Sequence, residues 1–375
     1  MRFGIFFEVS VPRPWTGDSE RIVYENALEQ ARLADELGFD WVWAVEHHFL
    51  EEYSHCSAPE VLLAAVAAQT RQIRVGHGVV VCVPQINHPI RAAERAAVLD
   101  IISGGRLEFG TGRSSTWTEL GGFQADPDET KKTWDEFVRV IPKMWTEERF
   151  SYQGRCFSMP ERAVLPKPLQ KPHPPMWVAV TSPGTELDAA QRGLGCLGVA
   201  TAGFDEQERR TGDYHRAIQN SDPVGAVVND CVTTLNFLYC HEDADLAAER
   251  GRALTQAFGL SNAHLLFTRE AYATTAYELL AGISVSRRSD AGSPGEDRGL
   301  PEGIAIGDPD WIVEQIRTWE SIGVDGLNFL VNAMEAVPQH QVLESMRLFA
   351  REVMPKFKSG ERTPAGVRAA PGGAV

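Results

Sequence analysis

Short apolar runs alternate with amphipathic helical segments along almost the whole 375-residue chain, and no other feature of the sequence constrains its fold so tightly. The runs lie at 2–8, 40–46, 73–81, 106–111, 176–181, 196–201, 231–238 and 324–331. They are near-continuous in Val, Ile, Phe, Leu and Trp, as parallel strands covered on both faces must be. Between them apolar residues recur at helical spacing. Tyr24, Ala27, Leu28, Ala31 and Ala34 form one face of a segment that stops at Gly38. Ile90, Ala93, Ala97, Val98 and Ile101 form another before Gly104-Gly105. Ile312, Ile316 and Trp319 follow Asp308-Pro309, an N-cap and first-turn proline, and end at Gly323. Eight strands each followed by a helix predict an α/β fold, a (β/α)8 TIM barrel with insertions, over a single domain spanning 1–357. An open doubly wound sheet fits the same alternation.

Insertions break the rhythm near 149–175, read as a hairpin plus an extended segment, and near 259–303. Within the second, 284–303 is almost devoid of apolar side chains, which predicts a lid or a disordered loop. The Gly/Ala/Pro/Arg-rich residues 358–375 are expected to be unstructured. Lys+Arg 36 against Asp+Glu 51 leave a net charge of −15, which disfavours nucleic acid and anionic lipid as partners. No apolar run reaches the roughly 18 residues of a membrane span. Met1–Glu8 reads as a buried strand rather than a signal peptide. Six cysteines without a C-x-x-C pair suit a reducing compartment, the cytoplasm by default, and Cys82 and Cys231 sit in strand-like runs as small hydrophobes.

Barrel chemistry collects on the loops that follow the strands. Glu46-His47-His48-Phe49 follows the second, and an imidazole there can donate or accept a proton near neutral pH or simply hydrogen-bond in a polar rim. No H-x-H or H-E-x-x-H spacing supports a metal site, and adjacent strand histidines point to opposite faces. After the fourth strand, Gly110 and Gly112 would admit a ligand close to the backbone, and Arg113 could grip a phosphate or form a rim ion pair. With Ser115 in the place of a third glycine, this is no dinucleotide fingerprint. After the fifth, Thr181-Ser182-Pro183-Gly184-Thr185 opens a helix with Ser182 as expected N-cap and Pro183 at its first position, either an anion site or an ordinary cap. Trp15 and Trp117 are candidates for pocket lining or for rim packing.

Together these residues resemble the bacterial luciferase-like, flavin-dependent monooxygenase family to about residue 355. The resemblance rests on Glu46-His47-His48-Phe49. It extends through His88-Pro89-Ile90-Arg91, Ala93-Glu94, Leu99-Asp100, Ser103-Gly104-Gly105-Arg106 and Gly110-x-Gly112-Arg113, and ends on Gly307-Asp308-Pro309 with Gly323-Val324-Asp325. It implies that His47, preceded by Glu46, is the active-site histidine beside a flavin ring. It further implies a non-prolyl cis peptide at Gly78–Val79 against that ring, and Thr181 next to it. Arg113, Ser182, Gly184 and Thr185 become the phosphate site, with Lys131 replacing a second arginine as a point charge. Gly112 stands where true luciferases carry a reactive cysteine, so light emission is not expected.

The resemblance thus implies a two-component monooxygenase. Reduced FMN would come from a separate flavin reductase, and O2 would reach a small organic substrate through a flavin 4a-hydroperoxide. His47 would manage protons, 284–303 would close over the site, and the chain would form a homodimer through the helices of its first βα units. A deazaflavin-dependent dehydrogenase on the same barrel and a non-catalytic flavin-binding subunit are the alternatives.

Overall fold

A computed structural model describes residues 1–114, 116–199, 203–267, 300, 302–357 and 366–370. The barrel of its central sheet is formed by β1 (Arg2–Phe7), β2 (Trp41–Ala44), β3 (Arg74–His77), β4 (Leu107–Gly112), β5 (Met176–Val180), β6 (Gly195–Val199), β7 (Val232–Cys240) and β8 (Gly326–Leu330), to which the short strands Val80–Val81 and Ala305–Gly307 add at β4 and β7. Each pairs in parallel with the next, and β8 pairs with β1, so the sheet closes on itself. Closure removes the open-sheet alternative: the fold is a (β/α)8 barrel, and each expected apolar run supplies one strand.

Helices α1 (Ser19–Leu37), α2 (Pro59–Gln69), α3 (Pro89–Ile102), α4 (Trp117–Gly122), α5 (Thr130–Thr146), α6 (Thr185–Gln191), α7 (Phe204–Ile218), α8 (Ala244–Phe267), α9 (Pro309–Ser321) and α10 (Gln339–Glu352) complete the unit. Helix α1 ends where Gly38, at φ 83°, returns its N–H to Ala34 and Asp35. Asp308 caps α9 through the amides of Asp310 and Trp311, and Ile312, Ile316 and Trp319 are buried as their spacing predicts. Helix α3 differs from expectation. Its buried stripe is Ala92, Ala93, Ala96, Ala97 and Leu99, while Val98 and Ile101 lie outside, 43% and 45% exposed. Small alanines let α3 sit close to the barrel, and the larger side chains turn outward.

Glycine and tryptophan share the barrel interior. Trp41, Trp43 and Trp177 meet ring to ring, their centroids 5.5–6.2 Å apart, with Leu197 and Cys231 beside them. Room for the indoles comes from glycines on adjacent strands, since a Cβ on Gly76 would stand 2.2 Å from the Trp43 ring and one on Gly195 2.5 Å from Trp177. Polar groups at the strand starts hold these rings. Trp177 Nε1 donates to Glu108 at 2.7 Å, Glu108 pairs with Arg74, and the Arg2 guanidinium lies 4.3 Å from the Trp41 ring centre. The lower barrel is therefore packed shut, and the mouth at the strand C-termini is left for chemistry.

The 149–175 insertion is a hairpin, Phe150–Gln153 against Ser158–Arg162, as expected. Of the 259–303 insertion, the first residues continue α8. Most of the expected lid, 284–303, lies outside the described residues. The tail expectation needs correction at one place. Val367–Ala369 pairs antiparallel with Val227–Asn229, because that segment offers a free edge and Gly366, at φ 89°, fits against the Asp230 carbonyl where a Cβ would collide. Among the described residues no helix is long and apolar enough to cross a membrane.

Replacing Gly76 with Ala should destabilise the barrel by about 1–3 kcal/mol, because the added methyl overpacks against Trp43. Gly17→Ala, whose Cβ meets nothing within 4 Å, should leave the urea midpoint within experimental error. Equal midpoints for the two variants would contradict the interlocking of glycine and indole.

Candidate active site

At the barrel mouth His47 lies between two carboxylates. Its Nδ1 is 3.0 Å from Glu119 Oε1, and its Nε2 is 3.7 Å from Glu8 Oε2. Glu119 is fully buried and heavily bonded. Oε2 accepts from Thr116 Oγ1 at 2.7 Å and Ser114 Oγ at 2.8 Å, and Oε1 also accepts from the His48 amide at 3.1 Å. Thr116 in turn caps α4 by accepting from the Glu119 amide. Thr116-x-x-Glu119 thus has capping-box spacing, with the glutamate turned toward His47 instead of back to the cap amide. Glu8 accepts from Tyr53 Oη at 3.1 Å.

These contacts decide the protonation of His47. Burial by itself pushes the imidazole down. The charge and hydrogen bond of Glu119, then the charges of Glu8 and Glu46, outweigh it and raise the pKa to about 9. His47 is therefore an imidazolium at neutral pH. Burial pushes Glu8 up, against the charge of His47 and the Tyr53 hydroxyl. Burial also acts to raise Glu119, but His47 and the Thr116 and Ser114 hydroxyls hold it below the ordinary range. A cation set between an ionised carboxylate and a second, weaker acid is an arrangement for giving up a proton and taking it back.

Glu46, expected beside a cofactor, is used by the protein itself. It accepts from the Val81 amide at 2.7 Å, from Asn87 Nδ2 at 2.8 and 2.9 Å, and meets His48 Nε2 at 3.2 Å. It ties the end of β2 to the loop after β3, and the adjacent histidines serve different acids. The Gly78–Val79 bond is not cis: the cis bonds of the described residues are Arg13–Pro14, Leu165–Pro166 and Lys171–Pro172. The trans form avoids a penalty of about 3–4 kcal/mol. It also suits the local pairing, in which Gly78 N–H donates to Ala44 at 2.8 Å and Val80 resumes beside Thr111. Gly110 and Gly112 are likewise committed internally. A Cβ at Gly110 would lie 1.9 Å from the His77 carbonyl, and one at Gly112 2.3 Å from Val79.

Register brings the anticipated phosphate set to one side of the mouth. Thr111 pairs with Val178, which carries Arg113 alongside the exposed Thr181 and the half-buried Ser182. Arg113 is half-buried and forms no ion pair among the described residues, so the rim-bridge reading does not hold. Ser182 is not the N-cap. Gly184 takes that position at φ 88°, its N–H donating to Glu186 at 3.0 and 3.1 Å, so α6 begins at Thr185. Glu186 reaching back fixes this start, and one amide expected to face an anion is already engaged. Lys131 pairs with Asp188 of α6 at 2.7 Å. Trp15 is rim packing: its Nε1 donates to Val11, and Arg13 lies over its ring. Trp117 is 44% exposed at the start of α4.

Sequence reading missed Glu8, Tyr53, Ser114, Thr116 and Glu119. Only the Thr116-x-x-Glu119 spacing carried a signal, one that also fits any capped helix.

A profile of the luciferase-like monooxygenase family matches residues 1–326. The chain belongs to this family. Among relatives of this luciferase-like chain is the flavin-dependent trigonelline monooxygenase, oxygenase component, of Acinetobacter baylyi, 25% identical over 96% of this chain and 97% of that protein. Protein y4wF of Sinorhizobium fredii is 34% identical, but the match spans 54% of this chain and 57% of y4wF. The crystal structure of monooxygenase RslO1 from Streptomyces bottropensis superposes with a TM-score of 0.76 at 28% identity, covering 96% of this chain and all of that one. Membership makes the luciferase-like chain a flavin-dependent oxidoreductase.

Because the folded-state pKa of His47 is raised above its ordinary 6.5, its contribution to stability is complete below pH 6.5 and is lost as pH rises through about 9. Between pH 6.5 and 9.5 urea denaturation should show wild type losing roughly 1–3 kcal/mol more than His47→Gln. Parallel curves would show that the imidazolium is not stabilised by its carboxylates.

Proposed function

We propose that this chain is the oxygenase component of a two-component system. It would take reduced FMN from a separate flavin reductase and use O2 to place one oxygen atom in a small organic substrate. The observation that carries this reading is His47, held as a cation between Glu119 and Glu8 at the mouth of a barrel whose floor is sealed by indoles. The A. baylyi relative, by name a flavin-dependent oxygenase component, supports both the cofactor class and the need for a partner reductase.

The residues fit a flavin mononucleotide. Arg113 is a half-buried cation with no ion pair among the described residues, on a strand paired with the one that leads to Ser182 and Thr185, and a phosphate is the group that would use all three. When bound, reduced flavin supplies the electrons by which O2 is activated. The chain's own part is protonation and exclusion of water. His47 keeps Nδ1–H on Glu119, so Nε2 carries the proton that can move to an oxygen in the mouth, and Glu8 beside it can return one. Trp41, Trp43 and Trp177 close the route from below.

The outward side chains of α3 support a homodimer. Val98, Ile101 and Ile102 form one exposed stripe, with Val61 of α2 nearby in the fold at 66% exposure. Ile101→Glu should convert a dimer to monomer in sedimentation equilibrium. A wild type that is already monomeric at high concentration contradicts that part of the reading.

Calorimetry should find FMN bound more tightly than riboflavin, with Arg113→Ala weakening FMN by roughly tenfold or more. Reduced deazaflavin should compete poorly with reduced FMN. In air, the protein should slow release of hydrogen peroxide from reduced FMN relative to free flavin. Equal affinity for FMN and riboflavin, an unchanged Arg113 variant, or unaltered peroxide release would each count against the proposal.

A further inference from the structure

A buried ion pair sits beneath the turn that leads into α6. Arg210 of α7 and Glu186 of α6 are each 5% exposed, and Nη2 of the first is 2.9 Å from Oε2 of the second. The same Nη2 donates to the Ser182 carbonyl at 3.3 Å, while the Glu186 carboxylate accepts the Gly184 N–H. The pair thereby grips the turn at two points, on either side of Pro183.

Stability alone is a poor reason for this arrangement. Desolvating two ions consumes most of what their attraction returns, and buried pairs can often be replaced by apolar residues at no loss. Here Arg210 Nε also lacks a partner among the described residues, at a cavity of about 30 Å³ that Gln207 and Thr234 help to line.

Charge gives the better reason. The first turn of α6 carries two acids, Glu186 and Asp188, where an incoming phosphate would meet repulsion. Both are cancelled. Arg210 takes Glu186, while Lys131 at 2.7 Å and Arg192 at 3.4 Å take Asp188. Arg113, at the end of the strand that pairs with the one leading into the turn, is a half-buried cation with no ion pair among the described residues.

Resting on the reading of this turn as a phosphate site, we infer that Arg210 is a positioning residue for the cofactor's phosphate. It acts through Glu186, neutralising the carboxylate and holding the Ser182–Gly184 backbone so that the Ser182 and Thr185 hydroxyls stay available. Lys131, on this account, serves the phosphate indirectly by pairing with Asp188.

The test is the ratio of FMN to riboflavin affinity, measured by flavin fluorescence quenching on the full chain. Arg210→Met strands Glu186 as an uncompensated acid and should weaken FMN by roughly tenfold or more, with riboflavin affected less than about twofold. Arg210→Lys keeps a cation but loses the planar fork, so its FMN preference should fall between those of the other two proteins, and it provides the reading if Arg210→Met does not fold. Equal weakening of both ligands would mean a merely structural role and would overturn the inference. So would an undiminished FMN preference in the folded variants. A wild type with no preference for FMN would overturn the phosphate site itself, a result distinct from either.

Discussion

A positive charge placed between carboxylates organises the mouth of this barrel. His47 follows β2 and Glu119 lies in α4 after β4, and their 3.0 Å contact joins the two. Nearly every other polar contact nearby serves that pair. Thr116 and Ser114 saturate the far oxygen of Glu119, Tyr53 holds Glu8, and Glu46 anchors the loop after β3. Without the charge on His47, Glu119 would be a buried anion with only hydroxyls and one amide to compensate it, which is costly in a low-dielectric surrounding.

The same logic appears across the mouth with the signs exchanged. There a buried guanidinium neutralises Glu186, a surface lysine neutralises Asp188, and Arg113 is left without an acid partner among the described residues. One side of the opening holds a proton between carboxylates, and the other is the side proposed to take the cofactor's phosphate. In the indole floor beneath them, Trp177 Nε1 is turned away from the opening and committed to Glu108.

The fold was open to reading because period and composition are local properties. Most barrel strands announced themselves as short apolar runs rich in β-branched or aromatic residues, and Gly38, Asp308 and Gly323 punctuated helices for reasons confined to a few residues. His47 was also legible, through its neighbours in Glu46-His47-His48-Phe49. Its partners were not, since Glu8 is 39 residues away and Glu119 72, and only strand order brings them together. Ser182 failed as an N-cap because Glu186, one turn on, competes for Gly184. The α3 face was misassigned because alanines carry little hydrophobic signal yet pack closest to the barrel. Gly110 and Gly112 looked like room for a ligand, but that room is filled by His77 and Val79 of the neighbouring segment.

The charge on His47 can be observed directly by following its ring nitrogens by NMR in protein labelled with 15N-histidine. Both nitrogens should carry protons at pH 7.5, with a midpoint near 9 that drops when Glu119 is replaced by Gln. A neutral ring at pH 7.5 that titrates near 6.5 whether or not Glu119 is present would contradict the account.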